Sequence, residues 1–136
     1  MTYAGDITPE DAFEALRADP SARLVDVRTE AEWAYVGVPD LAGIDQRLIR
    51  VEWQRFPDGT RNHDFVDQVR AAGAGVGPTY LLCRSGVRSA AAAEAMTAAG
   101  LGPAYNVLDG FEGGLDESGH RSVAGWKVAG LPWRQG

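Results

Sequence analysis

Thr79-Tyr80-Leu81-Leu82-Cys83-Arg84-Ser85-Gly86-Val87-Arg88-Ser89 changes character twice along its length. Thr79 to Leu82 is a short apolar run of the kind that forms a buried strand. Cys83 to Arg88 is polar and holds a glycine, while Ser89 to Ala99 is dense in Ala, Glu and Met, residues of high helix propensity, until Gly100 closes it. The order predicts a strand, a tight loop and a helix. Working outward, Arg23-Leu24-Val25-Asp26-Val27 and Tyr105-Asn106-Val107-Leu108 read as further buried strands. Thr8-Pro9-Glu10-Asp11 reads as a helix start, with Thr8 as cap and Pro9 at the first helical position; Ala12, Phe13, Leu16 and Arg17 continue it to Asp19-Pro20-Ser21. Further helices are expected from Ala31 to Tyr35, stopped by Gly37 and Pro39, and from Asn62 to about Ala72, where Phe65, Val66 and Val69 share a face. Ile44 to Val51 alternates imperfectly and is expected to include a strand. Strands separated by helices in repeating order imply one α/β domain over residues 1–136, with a mostly parallel sheet covered on both faces. Ligands of such sheets bind beyond the carboxyl ends of the strands, which is where Cys83 falls.

With 136 residues, 45% of them hydrophobic, the chain can bury one compact core. Its 19 acidic and 13 basic residues give a net charge of −6 at pH 7, which argues against a general affinity for nucleic acid or an anionic membrane. Any anion site must be local. The longest apolar runs, Ala90 to Ala93 and Thr79 to Cys83, fall far short of the roughly 20 residues needed to span a bilayer. Met1 to Asp6 shows no basic region followed by an apolar one, so the expected location is cytoplasmic. Cys83 is the only cysteine, so an oxidised sulfur has no second thiol in the chain to resolve it. An outside molecule must turn it over.

A lone cysteine at a strand end is more often a small buried hydrophobe than a nucleophile. Arg84, Gly86 and Arg88 change that reading, because a core cysteine has no use for two guanidinium groups and a glycine close by. A free thiol is only about 3% ionised at pH 7. Loop N–H groups converging on the sulfur, and the start of the following helix with its roughly half positive charge, would favour the thiolate. Arg84 and Arg88 would add positive charge and hold an anionic substrate, and Gly86 permits the sharp turn.

The loop Cys83-Arg84-Ser85-Gly86-Val87-Arg88-Ser89 resembles the active-site loop of rhodanese-domain sulfurtransferases of the single-domain type. Leu24-Val25-Asp26-Val27-Arg28 with Glu32-Trp33 resembles the N-terminal signature of that family. Val107-Leu108-Asp109-Gly110-Phe111 and Gly125-Trp126-Lys127-Val128-Ala129-Gly130-Leu131-Pro132 resemble its C-terminal one, so the likeness spans nearly the whole chain. Two departures stand out: Gly37-Val38-Pro39-Asp40 replaces a His-Ile-Pro-Gly-like turn, and Glu112 to Ala124 reads as a longer, exposed excursion. The resemblance implies a rhodanese-like three-layer domain with a five-stranded sheet. It implies that Cys83 carries a sulfane sulfur as a persulfide, taken from thiosulfate or a similar small-molecule donor and passed to cyanide or a thiol. Arg84, Ser85, Gly86, Val87 and Arg88 would bind the substrate, with Asp26, Arg28 and Ser89 in support. A sulfur-relay protein is a further partner consistent with this cycle, and no cofactor or metal is implied.

Other residues carry less. Asp26 and Arg28 read as a structural salt bridge. Trp33, Trp126 and Trp133 read as core or lid packing, since large aromatics dominate burial in small domains. His63 and His120 have no partner at metal-ligand spacing and read as surface residues. Gly73, Gly75 and Gly77 do not form a dinucleotide loop, because Pro78 occupies the position of the last glycine and the segment precedes a strand. Asp109, Glu112, Asp116 and Glu117 read as a solvated face. Two rival functions remain open. One is a cysteine phosphatase or arsenate reductase, disfavoured because only four residues separate Cys83 from Arg88 where such phosphatases have five. The other is a rhodanese-like binding or regulatory module without catalysis, disfavoured by the retained cysteine and basic loop.

Overall fold

The structure, a computed structural model, describes residues 3–55, 57–115, 117–121 and 124–135. Five strands, β1 (Gly5–Ile7), β2 (Arg23–Asp26), β4 (Ile49–Arg50), β5 (Thr79–Leu82) and β6 (Ala104–Val107), form one sheet in the order β1-β6-β5-β2-β4. Every neighbouring pair is parallel. Two short strands, β3 (Val38–Pro39) and β7 (Trp133–Arg134), pair antiparallel beside it. The helices are α1 (Pro9–Ala18), α2 (Glu30–Tyr35), α3 (Phe65–Ala71) and α4 (Val87–Ala98), with a 3-10 turn at Ala42–Ile44. Among the described residues no helix is long and apolar enough to cross a membrane.

Alternation along the strands divides the core between two faces. Val25, Leu81 and Cys83 pack with Phe65, Val69, Ala92, Ala93 and Met96 of α3 and α4. Leu24, Tyr80 and Leu82 point the other way and pack with Ala12 and Leu16 of α1, together with Phe111 and Trp126. Helices therefore cover both faces of a parallel five-stranded sheet, as the order of elements predicts.

Local signals mark most of the helix starts. Thr8 caps α1 by accepting the Asp11 amide at 3.1 Å, with Pro9 next to it. Thr29 and Glu32 form a reciprocal capping box at α2. α4 begins at Val87, two residues before the expected Ser89, because Gly86 turns the chain at φ 109°. Between Ile44 and Val51 only Ile49–Arg50 is strand, and a 3-10 turn precedes it. Gly37-Val38-Pro39-Asp40 leads into the β3–β7 pairing.

Trp126 is fully buried, edge-on to Phe13 at 5.8 Å between ring centroids, whereas Trp33 is half-buried. Trp133 is 41% exposed but still packs edge-on to Phe111. Within the expected excursion, Gly114, Leu115 and residues 117–120 are exposed. Asp116, Ser122 and Val123 of that segment lie outside the described residues, as does the Asp116 member of the acidic cluster.

Candidate active site

Because all five strands run the same way, Cys83 leaves the end of β5 beside the end of β2, where Asp26 is in register with Leu82. Cys83 is 1% exposed, yet its side chain lines the floor of a pocket of about 430 Å³. Arg84, Ser85, Val87 and Arg88 line it from the loop and α4, and Glu32 and Gln54 complete the lining. The Gly86 amide donates to Cys83 Sγ at 3.0 Å, which places the first turn of α4 against the sulfur. Ser89 Oγ lies 3.2 Å from Sγ.

The two arginines of the loop differ. Arg84 is exposed, and among the described residues its side chain has no hydrogen-bond or ion-pair partner. Arg88 is bound in bidentate fashion by Glu32, at 2.8 and 2.9 Å. Glu32 Oε1 also accepts the Thr29 amide and hydroxyl, each at 3.1 Å. Burial alone would raise the Glu32 carboxyl, but Arg88 and the Thr29 amide outweigh it and hold the group at about 2. Hydrogen bonding to Glu32 likewise raises Arg88 above its ordinary value. The pocket thus presents one free guanidinium and one neutralised by an ion pair.

Backbone hydrogen bonds from residues 111–113 hold the loop. Phe111 N–H donates to the Cys83 carbonyl at 2.8 Å, and the Glu112 and Gly113 amides both donate to the Arg84 carbonyl at 3.0 Å. Gly110 makes this approach possible: its φ is 56°, and a Cβ there would overlap the Cys83 carbonyl oxygen. Asp26 and Arg28 form a wholly buried pair, with Nη2 to Oδ2 at 2.7 Å and Nε to Oδ1 at 2.9 Å. The Arg28 guanidinium also donates to the Gly37 carbonyl at 2.8 Å and lies 4.3 Å from the centroid of Phe111. The pair therefore braces the segment that seats the Cys83 carbonyl.

The structure brings Cys83, Arg84, Ser85, Gly86, Val87, Arg88 and Ser89 together, and sets Asp26 and Arg28 beneath them. Glu32, Gln54 and Asn106 complete the surroundings without having been given a role from sequence. For Glu32 the available signal was Thr29-x-x-Glu32 ahead of a short helix. For Asn106 it was a polar side chain inside an otherwise apolar strand.

The STR4 middle domain family matches residues 4–136. The chain belongs to this family. Several proteins are similar to this chain over nearly all of its length. An uncharacterized protein of Rickettsia conorii is 36% identical over 131 residues, 95% of this chain and 96% of its own. A thylakoid rhodanese-like chloroplastic protein of Oryza sativa subsp. indica is 29% identical across 95% of this chain and 25% of its own. Among solved structures, Rv0390 from M. tuberculosis is 56% identical with a TM-score of 0.92, covering 98% of this chain and 99% of that one. A polysulfide-sulfur transferase homodimer from Wolinella succinogenes shares the fold at 20% identity, with a TM-score of 0.64 over 98% of this chain and 79% of its own. The chain is thus a rhodanese-like domain.

Proposed function

We propose that this protein is a sulfurtransferase that carries a sulfane sulfur on Cys83. The observation that carries the reading is a single thiol at the floor of a pocket, touched by the Gly86 amide at the start of a helix and flanked by a free guanidinium. The fold shared with a polysulfide-sulfur transferase supports the same reaction class.

The cycle has two halves. The Cys83 thiolate attacks the outer sulfur of thiosulfate or a similar donor; a new S–S bond forms, the donor's own S–S bond breaks, and sulfite leaves with the bonding pair. A cyanide ion or a thiolate then attacks the outer sulfur of the persulfide, leaving as thiocyanate or a new persulfide and returning the Cys83 thiolate. Arg84, exposed and without a protein partner among the described residues, is the group placed to receive the donor's oxyanion. Ser85 and Val87 form the wall along which the donor lies, Arg88 with Glu32 bounds it, and the Gly86 amide contacts the sulfur that the donor approaches. In this reading the protein works in the cytoplasm, with a small-molecule or relay-protein acceptor.

Mass spectrometry after thiosulfate treatment tests it. A gain of about 32 Da, one sulfur atom, is expected on Cys83 and is removed by cyanide. Cys83→Ser should abolish both the gain and sulfur transfer while leaving the fold intact. Transfer retained by that variant would refute the assignment, and a thiol that never takes up sulfur would favour a binding module.

A further inference from the structure

The Ser89 hydroxyl has one proton and two neighbours that could take it. Asn106 Oδ1 lies 2.6 Å away and Cys83 Sγ 3.2 Å away. The orientation of the Asn106 amide decides between them. Its Nδ2 donates to Asp6 Oδ1 at 3.1 Å, and the same carboxylate oxygen accepts the Tyr3 hydroxyl at 2.9 Å. A flipped amide would set the Asn106 oxygen against the Asp6 carboxylate, with no proton between two acceptors. With Oδ1 facing Ser89, two oxygens 2.6 Å apart need the serine proton between them. Ser89 therefore turns a lone pair toward Sγ, and an S–H proton finds an acceptor there.

We infer that Asn106, oriented by Asp6, is a positioning residue that steers the Ser89 proton away from Cys83 and so holds the sulfur as a thiol between turnovers. Its relevance to sulfur transfer rests on the reading of Cys83 as nucleophile. To arm the thiolate, Ser89 must rotate its proton from Asn106 to the sulfur, exchanging one hydrogen bond for another. A persulfidated Sγ has no proton to give and no charge to solvate, so the bond from Ser89 to Asn106 persists in that state. The thiol is the state in which both contacts of the Ser89 hydroxyl hold a proton.

The charged groups around Cys83 are Arg84 and Arg88 from its own loop and helix, Glu32 from α2, the Asp26–Arg28 pair at the end of β2, Asp6 through Asn106, and Asp109, whose backbone nitrogen lies 3.5 Å from where a side chain at Gly86 would begin. Asn106→Leu leaves all of them in place and removes the acceptor of the Ser89 proton together with the Nδ2 donor to Asp6. Because Cys83 is the sole cysteine, alkylation of the reduced protein by iodoacetamide reports this thiol alone. Asn106→Leu should alkylate about three- to tenfold faster at pH 7. In a Ser89→Ala background the same substitution should change nothing. No acceleration in a folded Asn106→Leu protein, or an acceleration that survives Ser89→Ala, overturns the inference. Should Asn106→Leu fail to fold, Asp6→Ala unpins the amide from an exposed position. Its acceleration should be smaller and again vanish with Ser89→Ala, whereas the mere loss of a negative charge would act in both backgrounds. The alkylation rate reads the thiol whether or not the protein takes up sulfur, so failure here and failure of the sulfurtransferase reading are separate results.

Discussion

Glu32 binds Arg88 through both carboxylate oxygens while one of them also closes the cap of its own helix. Its carboxyl is depressed from 4.5 to about 2, so the stability it contributes is complete above about pH 4.5 and is lost as the pH falls through about 2. Glu32→Gln should lower stability at pH 7 by about 1–2 kcal/mol, solvent screening of this partly open pair having been allowed for. Calorimetric melting of both proteins should show the gap closing as pH 2 is approached; a gap of constant size would mean that the pair does not act through its charge. Sequence reading reached Arg88 and missed its partner, because the two residues are 56 positions apart and nothing local in Val87-Arg88-Ser89 points to α2. Cys83 was legible for the opposite reason: its polar loop and its flanking strand and helix are contiguous.

At the scale of the element, the turn Asp109–Gly110 joins β6 to the loop it supports. Both residues have positive φ, 63° and 56°, and Gly110 has no room for a side chain against the Cys83 carbonyl. Gly110→Ala should cost at least about 2 kcal/mol in urea unfolding and, by shifting the Cys83 carbonyl, should slow sulfur loading as well. A variant of unchanged stability would show that the backbone yields there. Elements with their own punctuation were readable from sequence: α1 from Thr8-Pro9, β5 from Thr79 to Leu82, α4 from its alanines. β1 was not, since Gly5-Asp6-Ile7 carries no strand pattern and is extended because Tyr105 to Val107 supply a ladder. The two-residue strands β3 and β7 likewise exist through pairing across distance, which no local window contains, whereas β4 falls within the strand expected between Ile44 and Val51.

For the molecule as a whole, the Asp26–Arg28 pair is the central strut. It is fully buried, it ties the end of β2 to the Gly37 carbonyl, and through Phe111 it supports the seat of the Cys83 loop. Removing one charge strands the other in the interior, so Asp26→Asn should destabilise by about 3–5 kcal/mol. Equilibrium denaturation measures this, and a loss under about 1 kcal/mol would mean that water reaches the remaining charge. The sheet order has a consequence of another kind. Gly5 pairs with Tyr105, so the first rung made by the ribosome waits for a partner about 100 residues later; at 5–20 residues per second that is a delay of roughly 5–20 s. Nascent chains must therefore pass through a partly assembled sheet with one margin vacant, a kinetic species that a chain refolding from denaturant, with every strand available at once, need not visit.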